Sequence, residues 1–326
     1  MSPTARCLAP ILFAVLAVPS VASGPPAFTP SPEDSPSLAG ARLFAFVKHF
    51  ERAVNQRDSR AISNALDTDA MMDLVCEALD VSAEQRREFA DGALRSRWSA
   101  AYLHRLGEDG HIKLVRVRDD SGGSHALYRI VGDDGLDYHD AVLGVDDTGR
   151  IAIVDLYVFT GGEMMSQTLR RLLLEHMDSD RPAPPAAPGT GTVAADLAGL
   201  DQLMRSRNWA DAEEAVTRIE EAVGDDPYLD TLRAYFLCEQ GSFVRAAETA
   251  ERSISGEPML EEARLVRLRV ALAQRDYAEV AHCLTVLERD FQWNLDSIAD
   301  APAYARFVRS PSCKMWFASR ETALAR

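Results

Sequence analysis

Three aromatic residues, Trp209, Phe243 and Tyr277, stand 34 residues apart. Other positions keep the same period. Three residues after each aromatic come Ala212, Ala246 and Val280, and four further on come Val216, Ala250 and Leu284. Nine before stand Leu200, Ala234 and Leu268, and six before stand Leu203, Leu237 and Ala271. A period of this length with helical spacing inside it describes a pair of helices that cannot bury its apolar face alone, so successive pairs must stack. The small residues let neighbouring helices approach, and the aromatics fill the gaps between them. Pro227 and Pro258 are expected to end the second helices of the first two units, and Gly241 to loosen the turn of the middle one. Arg207 and Arg275 take the glycine's place in the outer units, and Gln292 stands where a third proline would close the last.

This register resembles the tetratricopeptide repeat (TPR), with three divergent units over 193–292 that lack the first-helix aromatic of the family. The resemblance implies a concave face, built by the first helices, that holds a protein or peptide partner. Carried over residue by residue, that groove falls on Asp201, Met204 and Arg205, on Tyr235, Cys238 and Glu239, and on Arg269 and Leu272. The set is mixed in charge and lacks the Lys, Arg and Asn cluster that clamps a peptide carboxylate. Beyond the third unit, Asp300-Ala301-Pro302 and Ser310-Pro311-Ser312 read as helix starts with proline in the first turn. Tyr304, Phe307, Val308 and Trp316 give that segment, 293–326, an apolar face suited to capping the stack.

Two other stretches divide the chain. Residues 1–23 carry Arg6, an unbroken apolar run from Ile11 to Val18, Pro19 and then Ser20-Val21-Ala22. This is the pattern of a secretory signal cleaved near Ala22 or Ser23, and it predicts a periplasmic or extracellular protein without stable membrane insertion. Residues 24–37 are rich in Pro and Ser and read as a flexible lead-in; residues 178–192, with four prolines, read as a linker between domains.

Between them, 38–177 predicts an α+β domain. Leu43, Phe46, Val47, Phe50 and Val54 recur at helical spacing, as do Met71, Leu74, Val75 and Leu79. The Ser82-to-Gln85 capping box predicts one helix running to about Leu106. The period then changes to two over His111–Arg118, His125–Val131, Leu136–Val145 and Ile151–Phe159, joined by Asp/Gly turns, which describes a four-stranded antiparallel meander. A last helix is expected from about Ser166 to Met177. This order of elements resembles the nuclear-transport-factor-two-like (NTF2-like) cone, a fold that also serves as a dimerisation module, so a homodimer is among the assemblies it implies. It also implies an alternative function: a small-molecule or isomerase/hydrolase-like site inside the cone. Its candidate residues are Tyr138 and Asp140 on one strand face and Asp155 and Tyr157 on the next strand, with a carboxylate beside a tyrosine as general base. His139 points to the opposite face and is expected at the surface.

No nucleophile elbow, phosphate loop, paired metal-ligand histidines or CxxC occurs, so neither catalysis, a metal nor a cofactor is expected. The net charge of −15 argues against a nucleic-acid partner, which needs clustered cations. Cys238 and Cys283 fall on apolar helix faces and read as buried free thiols. The function expected from all this is a non-enzymatic exported scaffold for protein–protein interaction.

Overall fold

The computed structural model describes residues 38–324 except 96, 121–122, 134, 147 and 178–191. The expected signal, lead-in and most of the expected linker lie outside the described residues. By packing, the chain forms two compact units, one extending to Arg205 and the other beginning at Ser206.

The first unit is α+β. Helix α1 (Leu38–Asn55) is followed by α2 (Ser59–Ala65), α3 (Thr68–Cys76), α4 (Ala83–Phe89), a π-helical segment (Ala90–Arg95) and α5 (Trp98–Leu106). Strands β1 (His111–Asp120), β2 (Gly123–Gly132), β3 (Gly135–Val145), β4 (Ile151–Val158) and β5 (Glu163–Met164) form one antiparallel sheet in sequence order, and α6 (Met165–Met177) follows. The expected meander is present, with a short fifth strand added at its edge. Asp58 and Asp67 cap α2 and α3, each carboxylate accepting from two backbone N–H groups of the first turn. Ser82 and Gln85 form the capping box of α4.

The helix expected from Ser82 to Leu106 is broken, for a reason of spacing. Its buried apolar residues are Ala90, Leu94, Trp98, Tyr102 and Leu106, each four apart. An uninterrupted α-helix turns each such step by about 40°, which would carry the later residues off the core face. The wide π turn and the restart at Trp98 reset the register. On the inner face of the sheet, Val47, Phe50, Val54, Met71, Met72, Trp98 and Tyr102 pack over Ala126, Tyr128, Ala141 and Leu156. Phe50 meets Tyr128 edge-on at 5.4 Å and Tyr102 at 6.1 Å. Helix α7 (Thr192–Arg205) belongs to this unit and packs against β3.

The second unit is all helical: α8 (Trp209–Val223), α9 (Pro227–Glu239), α10 (Phe243–Gly256), α11 (Glu261–Gln274), α12 (Tyr277–Phe291), α13 (Ala305–Val308) and α14 (Pro311–Leu324). The three periodic aromatics are the first residues of α8, α10 and α12. α9 and α11 lie side by side, and α10 packs against both, as stacked helical hairpins require. The small residues Ala212, Ala234, Ala246 and Ala250 are fully buried. Arg207, Gly241 and Arg275 occupy equivalent turns and share the left-handed conformation, with φ of 57°, 77° and 61°. The sequence places glycine in only one of these turns, yet the backbone bends alike in all three.

Pro227 does not end α8. Gly224 does so at φ 77°, and Pro227 instead opens α9 behind the N-cap Asp226. At the C-terminal end, Phe307, Cys313 and Trp316 close over Leu268, Leu284 and Leu287. Pro302 and Pro311 each stand at the start of a helix in this segment.

Candidate functional site

The first-helix face of the helical unit gathers the most interaction-competent side chains. Tyr235 of α9 and Arg269 of α11 come together because the two helices are neighbours in the stack. The Arg269 guanidinium lies 5.2 Å from the Tyr235 ring centroid and also pairs with Glu239. The Arg269 side chain is 51% exposed and that of Glu239 14%. The Trp209 ring meets Tyr235 edge-on at 6.0 Å and stacks on Phe236 at 5.8 Å. Tyr235, Trp209 and Leu272 are half-buried. A partly exposed cation–π pair next to a tryptophan is the composition that concentrates binding energy at interfaces.

Cys238, expected to line this groove, is buried among Ala234, Ala246, Ala250, Val266 and Val270. Burial raises its thiol pKa, with Glu239 acting in the same direction and Arg269 against it. The groove residues on α7 lie in the sheet unit. Asp201 there is buried and pairs with Arg205, and Met204 is half-buried. Behind the α9–α11 face, ion pairs tie consecutive helices. Arg233 of α9 bonds Glu220 of α8 at 2.7 Å and Glu213 at 3.1 Å, and Arg267 of α11 reaches Glu279 of α12 at 3.1 Å.

In the sheet unit, the residues expected to form a cone site have defined partners. Asp140 accepts from Arg118 at 2.6 Å and lies 3.1 Å from His125 Nδ1. Asp140 and His125 share the sheet face opposite the main core, since the Leu127–Asp140 and His125–Val142 pairs alternate with Tyr128–His139. Tyr138 is fully buried and Tyr157 half-buried; both rings contact Phe159. Asp155 accepts from the Ser166 hydroxyl at 2.5 Å, the Ser166 N–H at 3.1 Å and the Leu156 N–H at 2.8 Å. Burial pushes its carboxyl pKa up against those hydrogen bonds.

A second polar cluster was not anticipated. His139 is 3% exposed, not a surface residue. Its Nδ1 lies 3.2 Å from the Tyr102 hydroxyl on α5, and its Nε2 lies 3.3 Å from Asp137 Oδ2 without good hydrogen-bond alignment. The neutral tautomer that suits both neighbours carries its proton on Nε2. Asp137 is held by Arg105 at 2.9 Å, by the Thr160 hydroxyl and N–H at 2.7 and 3.0 Å, and by the Tyr138 N–H at 2.7 Å. Burial alone would raise the Asp137 pKa, but His139, Arg105 and Thr160 together hold it below the usual value. Burial lowers that of His139, Arg105 adds to the effect, and Asp137 opposes it. Burial raises the Tyr102 phenol well above its ordinary range. Beside Tyr102, at 5.0 Å between rings, the buried indole N–H of Trp98 has no acceptor among the described residues. The alternation Asp137, His139 on one strand was the available signal; that α5 covers this face is a tertiary fact.

Among the described residues no group of three or more His, Cys, Asp or Glu side chains is arranged to hold a metal ion, and no helix is long and apolar enough to cross a membrane. No family model matches the chain, and neither a curated protein nor a solved structure matches it.

Proposed function

We propose that this protein is a non-enzymatic, exported interaction scaffold whose TPR-like array holds a protein or peptide partner, beside an NTF2-like α+β domain. The observation that carries the reading is the Tyr235–Arg269–Glu239 cluster with Trp209 on the α9–α11 face. Burying a cation–π pair of this kind under a partner is worth roughly 0.5–2 kcal/mol, and the aromatic surface adds to it. The ion pairs of Arg233 and Arg267 hold the helices that present these side chains, so the face is pre-organised and little ordering is lost on binding. Affinity capture of the mature chain from envelope extract should retrieve a specific partner. The Arg269→Glu variant, which places two acidic groups under Tyr235, should lose it; unchanged capture by that variant overturns the groove assignment.

A second reading keeps a small-molecule site in the α+β unit. It is favoured by the buried Trp98 N–H beside Tyr102, a donor with no acceptor among the described residues. Thermal-shift screening with carbonyl-bearing apolar compounds tests it. Stabilisation of the wild type but not of Trp98→Phe supports the site, and no stabilisation by any compound removes it.

A further inference from the structure

Helix α5 is held in place by a small polar cluster and an apolar face. It has no side-chain N-cap, since Arg97 makes no capping bond, and a π-helical segment precedes it. Such segments are rare and frequently lie at functional sites. The polar ties of α5 include Tyr102 to His139, Arg105 to Asp137 and to Thr160 just after β4, and Ser99 to Ser63 of α2. Apolar packing through Trp98, Tyr102 and Leu106 adds to these ties.

We propose that the Tyr102–His139–Asp137 chain is an acid-operated latch: a proton on His139 Nδ1 removes the acceptor of Tyr102 and frees α5, with the π-helical segment ahead of it, from the sheet. The neutral imidazole accepts from the Tyr102 hydroxyl on Nδ1 and turns its Nε2–H toward Asp137. Once Nδ1 carries a solvent proton, the phenol oxygen can only accept from it across 3.2 Å, and the Tyr102 O–H loses its acceptor. That buried O–H is then left unsatisfied, which disfavours the closed form.

The charged and titratable groups around His139 decide whether the closed form tolerates the imidazolium. From β3 itself comes Asp137, and from α5 come Tyr102 and Arg105. Tyr128 is the cross-strand neighbour on β2, with its hydroxyl donated to the Val47 carbonyl at 3.0 Å, and Glu51 of α1 lies within electrostatic reach of Tyr128. Val158 is the neighbour on β4. Asp137 is the anion in contact among the described residues, and its charge is already committed to Arg105, both donors of Thr160 and the Tyr138 N–H. The cost of desolvating the imidazolium therefore outweighs its attraction to Asp137. Opening returns His139 to water, where it binds a proton near its ordinary value of about 6.5. Linkage then fixes the sign: the open form takes up protons more readily, so acid favours opening.

Native-state hydrogen exchange of the α5 amides in the full chain, measured from pH 7.5 to 5 and corrected for intrinsic exchange, tests this. The opening equilibrium should rise as pH falls below about 6.5, by up to tenfold per pH unit. His139→Gln supplies a donor and an acceptor that do not titrate, and should abolish the slope; Tyr102→Phe should open α5 more at pH 7.5 and flatten it. If His139→Gln does not fold, NMR titration of the wild-type imidazole decides, since the latch requires His139 to stay neutral below its ordinary range. A pH-independent α5, a slope that persists in His139→Gln, or an imidazole titrating at or above the ordinary value overturns the proposal.

Discussion

Replacing Phe307 by alanine should selectively unfasten the C-terminal end of the helical stack. Phe307 is fully buried, with its ring 6.2 Å from both Tyr277 and Trp316. It joins the last periodic aromatic to the cap helix α14. Truncating a phenylalanine at such a site removes the transfer term and leaves a cavity, together about 3–5 kcal/mol. For a unit of this size each kcal/mol moves the midpoint by about 4 °C, so its thermal transition should fall by roughly 12–20 °C. Hydrogen exchange reads the same loss locally. Protection in α11, α12 and α14 should drop by about a hundredfold or more, since each 1.4 kcal/mol is tenfold. Met315, on α14 but 67% exposed, is the control, and its alanine variant should stay within about 0.5 kcal/mol of wild type. A Phe307→Ala chain whose α12 protection changes less than about fivefold would refute the cap assignment, because a well-packed terminal lid cannot lose its central ring at so little cost.

Other consequences follow from the same geometry. Gly241→Ala places a Cβ in a left-handed turn and should cost about 1 kcal/mol, while Arg275→Gly relieves the same strain and should gain a similar amount; chemical denaturation midpoints measure both. Burial, aided by Glu279, pushes the Cys283 thiol up to about 12, so alkylation at pH 8 should leave it unmodified until denaturant opens α12. Asp137 has a depressed folded pKa, so its contribution is present above the ordinary carboxylate value and lost as pH falls through the folded one. The α+β unit should therefore lose further stability below about pH 4, and Asp137→Asn should make that acid loss smaller while lowering stability at pH 7; acid titrations followed by circular dichroism test this.

Much of the helical unit could be read from its sequence because its determinants are local and repeated. The period placed Trp209, Phe243 and Tyr277, and each proved to be the first residue of a helix. The meander was equally readable, since strands β1 to β4 alternate clearly and are joined by Asp/Gly turns. Three features were not. The break between α4 and α5 arises because buried positions four apart outrun an α-helix, and the core that demands them is visible only in three dimensions. Strand β5 has two residues, too short for any period. His139 was assigned outward because its strand neighbours were read as the inner set; both faces of β3 are in fact covered, so alternation could not say which side was wet. For the α9–α11 face, sequence register identified Tyr235, Glu239 and Arg269 individually, but their mutual contact depends on hairpin stacking. Cys238 has both a groove and a buried-thiol reading from its sequence, and the buried free thiol is what the structure shows, because the one-residue step from Glu239 turns it into the layer between helices.

The scaffold reading is tested most directly by the affinity of a captured envelope partner for the wild type and for Arg269→Glu, with the helical content of both verified. The account predicts one specific partner whose affinity falls at least tenfold in the variant while the fold is unchanged. Equal affinity for both chains would contradict it.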